Sequence, residues 1–171
     1  MTALPPKFEE LLNAVERSAV HLEMRDGYSK THHAYVAWSR GEAVDPRAVW
    51  PEWFPLVGRV VRTGGHVLRA RIISEPVSEY VRFQYSVTSG LNLASGEQVR
   101  WLPRRHTSDI ALPGNDFWLF DERIVMWNHF NGDGESTGYE VTDDLALVEL
   151  CNAAFTSVWE RAIPHESYEP A

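Results

Sequence analysis

The chain has 171 residues, 44% of them hydrophobic and 23% charged, with a formal net charge of −8. A chain of this length buries about 70% of the surface its unfolded form exposes, so it can hold a core without a covalent staple, and its single cysteine, Cys151, excludes an intramolecular disulfide or a multi-cysteine zinc site. The acidic balance disfavours direct nucleic-acid binding and anionic membranes, and with neither an apolar run long enough to span a bilayer nor a leader core in MTALPPKFEE, a cytoplasmic protein is expected.

Phe8, Leu11, Leu12, Val15 and Ala19 recur at helical spacing and predict an amphipathic helix from Phe8 to Leu22, with Glu9 and Glu10 at its positive end. LEMRDGYSKT reads as a turn or short extended piece, and HHAYVAWSRG as a brief helix. Asp45-Pro46 is a helix start, with the carboxylate as cap and proline at the first position; Pro51 and Pro55 delay the regular part to near Trp53, and it runs to Gly64-Gly65. His66 to Ile73 predicts a strand with Arg69 and Arg71 on one face. Glu75-Pro76 is read as opening a helix that carries Val77, Tyr80, Val81, Tyr85 and Thr88 on one side and closes at Ser89-Gly90. Gln98 to Leu102 is a short strand, followed by the basic loop RRHTSD.

From Asn115 to Thr142 the chain writes three strands and two tight turns in succession. Phe117 and Leu119 alternate with Trp118 and Phe120, Asp121-Glu122 turns, Ile124 to Phe130 returns, and Asn131-Gly132-Asp133-Gly134 is a hairpin turn. Asp143 is read as the cap of a last helix, whose apolar face holds Leu147, Val148, Leu150, Cys151, Ala154, Phe155, Val158 and Trp159; Pro164 stops it, and HESYEPA reads as a loosely held tail. The order implies one α/β domain over 1–171, with α+β as the alternative: N-terminal helices in 1–64, a core in 65–142 forming a single mixed sheet with a β-α-β unit and a C-terminal meander, and a helix in 143–163.

Common chemistries leave no signature. There is no HExxH and no spaced ligand set among the seven histidines, so no metal is expected, and the absence of GxSxG, GxGxxG and GxxxxGK[ST] gives no cofactor or acyl-transfer site. NGDGE lacks the twelve-residue calcium-loop pattern and reads as a turn. Cys151 reads as a buried core thiol. His129 shares a strand face with Val125 and Trp127, pointing either into the core or into a cleft. Open α/β sheets bind ligands at their strand ends, so Glu75, Arg82, Trp101 and Arg104, with Trp118 and His129, are the ligand-binding candidates. The competing reading is structural: Glu75 at a helix start, Arg82 paired along its helix, Trp101 in the core. The central arginines, Arg59, Arg62, Arg69, Arg71, Arg82, Arg100, Arg104 and Arg105, allow a small anionic ligand, and Trp38, Trp50 and Trp53 are candidate anchors for a protein partner.

The motifs FEELLNAVERSAVHLEMRDGY, RIISEPVSEYVRF, VRWLPRR and DFWLFDERIVMWNHFNGDGESTGYEVTDD resemble an actinobacterial domain family of uncharacterised function. The resemblance implies genes beside helix-turn-helix regulators, and hence an accessory role. The order of strand, helix, strand and hairpin is also similar to one half of the phospholipase D superfamily. In that superfamily a hairpin strand carries a His-any-Lys pair followed by Asp, and the histidine is the nucleophile of phosphoryl transfer. Here the corresponding strand is DFWLFDERIV. No His-any-Lys pair precedes Asp121, and His106 is followed by Thr107-Ser108, so the nucleophile does not carry over and a non-catalytic relative is implied. The expected function is a non-enzymatic accessory or ligand-sensing protein that partners a helix-turn-helix transcriptional regulator. The rivals are an enzyme on a small molecule or phosphoester in the strand-end cleft, and DNA binding through the central arginines.

Overall fold

Strands β1 (Ser18–Glu23), β2 (His66–Ile73) and β3 (Gln98–Pro103) run parallel and form the centre of a seven-stranded mixed sheet of order β6-β5-β4-β1-β2-β3-β7. The antiparallel meander β4 (Asp116–Phe120), β5 (Ile124–Phe130) and β6 (Ser136–Thr142) joins one side through β4 on β1, and the two-residue strand β7 (Ile163–Pro164) closes the other side on β3. This computed structural model describes residues 5–171; residues 1–4, the start of the stretch read for a leader, lie outside them. Among the described residues no helix is long and apolar enough to cross a membrane.

Helices α1 (Pro6–Ala14) and α4 (Trp53–Arg62) cover one face of the sheet. Phe8, Leu12, Val57 and Val60 pack there on Ala19, Val67, Trp118 and Met126. Helix α5 (Glu79–Thr88) covers the same face further along, and α2 (His33–Ser39) and α3 (Pro46–Val49) lean against it. The opposite face belongs to α6 (Leu145–Arg161), whose Val148, Cys151, Phe155 and Val158 meet Leu22, Ile72, Leu102 and Leu119. Helical layers on both faces bury the central strands on both sides, the charged side chains of β1 and β2 included.

The helix expected over Phe8–Leu22 stops at Ala14, and the same stretch supplies β1. The cause lies across the sheet. The Asp121 carboxylate accepts hydrogen bonds from the backbone amides of Glu16 (2.9 Å), Arg17 (2.8 Å) and Ser18 (2.8 Å), which pulls this chain out of the helix and into register with β4. Helix α5 is capped by Ser78, whose hydroxyl accepts from the Val81 amide at 3.1 Å, and does not open at Glu75-Pro76; it runs on through a π turn at Ser89–Leu93. Asp144, one residue later than expected, caps α6 by accepting from Ala146 and Leu147.

The stretch HESYEPA is not loosely held. His165 and Tyr168 are buried, Tyr168 stacks on Trp101 (5.6 Å between ring centres, 13° between planes), and the Val77 amide donates to the Ala171 carbonyl at 2.9 Å. Trp53, read as an exposed anchor, is buried too, while Trp38 and Trp50 are half-buried.

Candidate functional site

Side chains alternate across a strand, so residues two apart share a face. On the face toward α4 and α5, β1 presents His21 and Glu23, and β2 presents Arg69 and Arg71; the parallel register sets His21 beside Arg69 and Glu23 beside Arg71. His21, Glu23 and Arg71 are buried and Arg69 nearly so, which for charges is tolerable only when they are paired and hydrogen-bonded. They form one alternating chain. Glu97, with a fully buried side chain, accepts from Arg69 Nε at 2.6 Å; Arg69 Nη1 bonds Glu23 Oε1; Glu23 Oε2 accepts from Arg71 Nε at 2.6 Å; and Arg71 Nη1 donates to Thr88 at 2.8 Å.

Glu97 also accepts from Asn92 (2.6 Å) and the Trp53 indole (3.2 Å). Burial alone would raise the Glu23 carboxyl, but Arg71 and Arg69 outweigh it and hold the group well below the usual carboxylate range. His21 lies against Trp118, with ring centres 4.3 Å apart and planes 7° from parallel. Its Nδ1 meets the Phe117 carbonyl at 2.7 Å and its Nε2 faces Glu23 at 3.3 Å, so both ring nitrogens are engaged.

Where β1 ends, the cluster opens toward a groove. Tyr28 donates its hydroxyl to Asp116, which also accepts from the Met24 amide at 2.9 Å. Burial pushes the Tyr28 phenol well above its ordinary value, with the nearby Glu23 charge adding to it, and burial raises the Asp116 carboxyl as well. The groove runs between the loop after β1, the first turns of α5 and the β5–β6 hairpin. It has a volume of about 580 Å³, and Tyr28, His32, Trp50, Tyr80, Phe83 and Phe130 form its walls. Size and aromatic lining suit a small-molecule site.

The sequence-predicted residues do not assemble here. Arg104 does stand at the strand ends, but as a tie: it donates to the Met24 carbonyl (2.6 Å) and to Ser74 Oγ (3.1 Å), beside Asp26, which accepts from both the amide and the hydroxyl of Ser74. Glu75 pairs instead with Arg105 (3.0 Å) and accepts from Tyr168 (3.0 Å), along a separate trough of about 690 Å³ where Arg161 and Asp109 also pair with each other. Arg82 is exposed on the outer side of α5. Trp101 is fully buried, with Arg71 over its ring (4.9 Å) and its indole donating to His165 (3.1 Å). Trp118 is buried against His21, and His129 lies on the α6 side of the sheet, 3.8 Å from Glu140.

Sequence reading singled out neither the ionic chain nor the groove. A signal for the chain was present: charges inside otherwise apolar runs, HLE in one and RAR in the other, are the pattern of buried, paired ions. Their partnership is set by strand register and leaves no trace in spacing. Among the described residues no group of three or more His, Cys, Asp or Glu side chains is arranged to hold a metal ion.

Nuc, a phospholipase D family member from Salmonella typhimurium, superposes with a TM-score of 0.50 at 10% identity, over 91% of this chain and 86% of that one. NucT from Helicobacter pylori gives a TM-score of 0.48 at 14% identity, over 92% and 88% of the two chains. TrmBL2, an archaeal chromatin protein with a novel mode of DNA binding, gives 0.45 at 14% identity, over 91% of this chain and 48% of its own. The likeness to Nuc is one of fold: a mixed sheet with flanking helices, as in phospholipase D-like proteins. No curated protein matches the chain in sequence. The family of domains of unknown function DUF6879 matches residues 6–170, and the chain belongs to it.

Proposed function

We propose that this domain is a non-enzymatic ligand sensor that partners a helix-turn-helix transcriptional regulator. The observation that carries the reading is the state of the ionisable groups beneath the groove. His21, Glu23, Arg71 and Glu97 are buried and, with the nearly buried Arg69, engaged with one another, whereas the groove itself is walled mainly by aromatic rings. A binding site needs shape and stacking surface. A catalytic site also needs a base or nucleophile set against the substrate, and among the groove's own titratable side chains His32 and Glu135 are tied to the fold: His32 Nδ1 accepts from the Ala34 amide (3.3 Å) with its ring stacked on Trp50, and Glu135 Oε1 accepts from Ser29 and Thr31. The sequence has no His-any-Lys pair before Asp121, and His21 has both ring nitrogens occupied.

The partner half of the reading is supported by charge and by resemblance. A net charge of −8 suits contact with the basic face of a DNA-binding protein better than contact with phosphate. The half-buried Trp38 and Trp50 supply aromatic surface of the kind that anchors such contacts, and the resemblance to an actinobacterial family implies regulators encoded nearby. Co-expression with each helix-turn-helix regulator from the same genome in turn, followed by size-exclusion chromatography with and without cell-extract metabolites, tests it. Co-elution that changes with metabolites is expected. Separate elution under every condition, or turnover of a phosphoester by the isolated domain, would overturn the proposal.

A further inference from the structure

Two polar groups in the groove, both on half-buried residues, have a free hydrogen-bonding position that faces no protein partner among the described residues. The Glu135 carboxylate is fixed through one oxygen only: Oε1 accepts from the hydroxyls of Ser29 (2.9 Å) and Thr31 (2.9 Å), while Oε2 makes no hydrogen bond among the described residues. The Tyr80 hydroxyl makes none either, although its ring is held between Tyr28 (5.9 Å) and Tyr35 (5.2 Å). Glu135 is the one carboxylate lining this groove and no lysine or arginine lines it; Arg25 lies beyond it, over Phe130 (5.3 Å) and bonded to the Asn131 carbonyl (3.2 Å). Aromatic faces are negative at their centres and attract cations, and a carboxylate at their edge adds to the attraction for a positive group that comes into the groove.

We infer that the groove binds a small organic cation, its ammonium group set against Glu135 Oε2 and over the rings of Tyr80 and Trp50. The inference rests on the ligand-sensing reading above and names the class of ligand. The site is organised before the ligand arrives. Glu135 is placed by the hairpin, where its amide donates to Asn131 Oδ1 at 3.0 Å. Gly134, at φ +84°, lies so close to the loop after β1 that a Cβ there would stand 3.0 Å from the Tyr28 backbone. Hairpin and loop are therefore locked, and little ordering is left for binding to cost. A neutral ligand of the same shape leaves Oε2 unmatched, and an anion is repelled by it.

Isothermal titration and tryptophan fluorescence with choline, cadaverine, the uncharged carbon isostere of choline and inorganic phosphate, at matched ionic strength, test the assignment. At least one of the two cations is expected to bind saturably, the isostere about tenfold or more weaker, and phosphate not at all. Glu135→Gln should weaken the cation about tenfold with an unchanged thermal transition, and Tyr80→Phe should weaken it less. Equal binding of choline and its isostere, cation affinity unchanged in Glu135→Gln, or failure of both cations overturns the cation assignment. Amide chemical shifts recorded against fragments of all charge types separate that failure from failure of the sensor reading: neutral or anionic fragments perturbing Tyr80 and Glu135 leave a sensor with another ligand, whereas no perturbation by any fragment removes both.

Discussion

Glu23 holds two guanidinium groups at once, one through each oxygen, in a place water does not reach. Glu23→Ala leaves Arg69 and Arg71 short of a counter-charge, and a loss of about 3–5 kcal/mol is expected, measurable as a lowered urea midpoint. His165 makes a different kind of switch. The Trp101 indole donates to its Nδ1 (3.1 Å), so Nε2 carries the proton toward Ser89 Oγ (2.9 Å) and the ring is held neutral. Burial lowers its pKa, the charge of Arg71 adds to that, and Glu166 opposes it. A base depressed in the folded state takes its proton first in the unfolded state, so its contribution is complete above the ordinary 6.5 and is lost as pH falls below it. Urea midpoints should drop on acidification from that value, and His165→Gln should flatten the drop.

Between elements, the turn joining β4 to β5 does more than reverse the chain. Asp121 and Glu122 take φ of 51° and 56°, and the Asp121 carboxylate holds three amides at the start of β1. Asp121→Ala leaves those donors unmatched and keeps a β-carbon in the left-handed region; a cost of about 2–3 kcal/mol in chemical denaturation is expected, and Asp121→Asn should recover part of it. That same contact explains what could be read from the sequence. The meander, β2, β3, α4 and α6 were legible because periodicity and turn residues are local. β1 was not: Val15, Ala19 and Leu22 fit a helix as well as a strand, and the alternation of Val20 and Leu22 with His21 and Glu23 covers only four residues. The choice is made by Asp121, about a hundred residues away. Without β1, neither His21 nor Glu23 can be placed opposite the arginines of β2, and the groove at its end stays out of sight.

At the scale of the whole molecule, the two ends of the sheet are finished differently. The β3 side is closed by β7 and by a C-terminal segment that lays Tyr168 on Trp101 and receives the Tyr85 hydroxyl on its backbone at 2.9 Å. Deleting His165–Ala171 uncovers Trp101, and the loss of a buried aromatic should cost about 3–5 kcal/mol, with a red shift of tryptophan emission as the check. The strand order bears on synthesis. β1 is made early yet lies in the middle of the sheet, flanked by β2 on one side and by β4 on the other. A nascent chain that has not yet delivered Asp116–Phe120 therefore carries β1 with one row of backbone groups bare and Asp121 still missing from its start, so the domain commits to its fold only in the last third of translation, and until then that bare row is the surface a chaperone would have to guard.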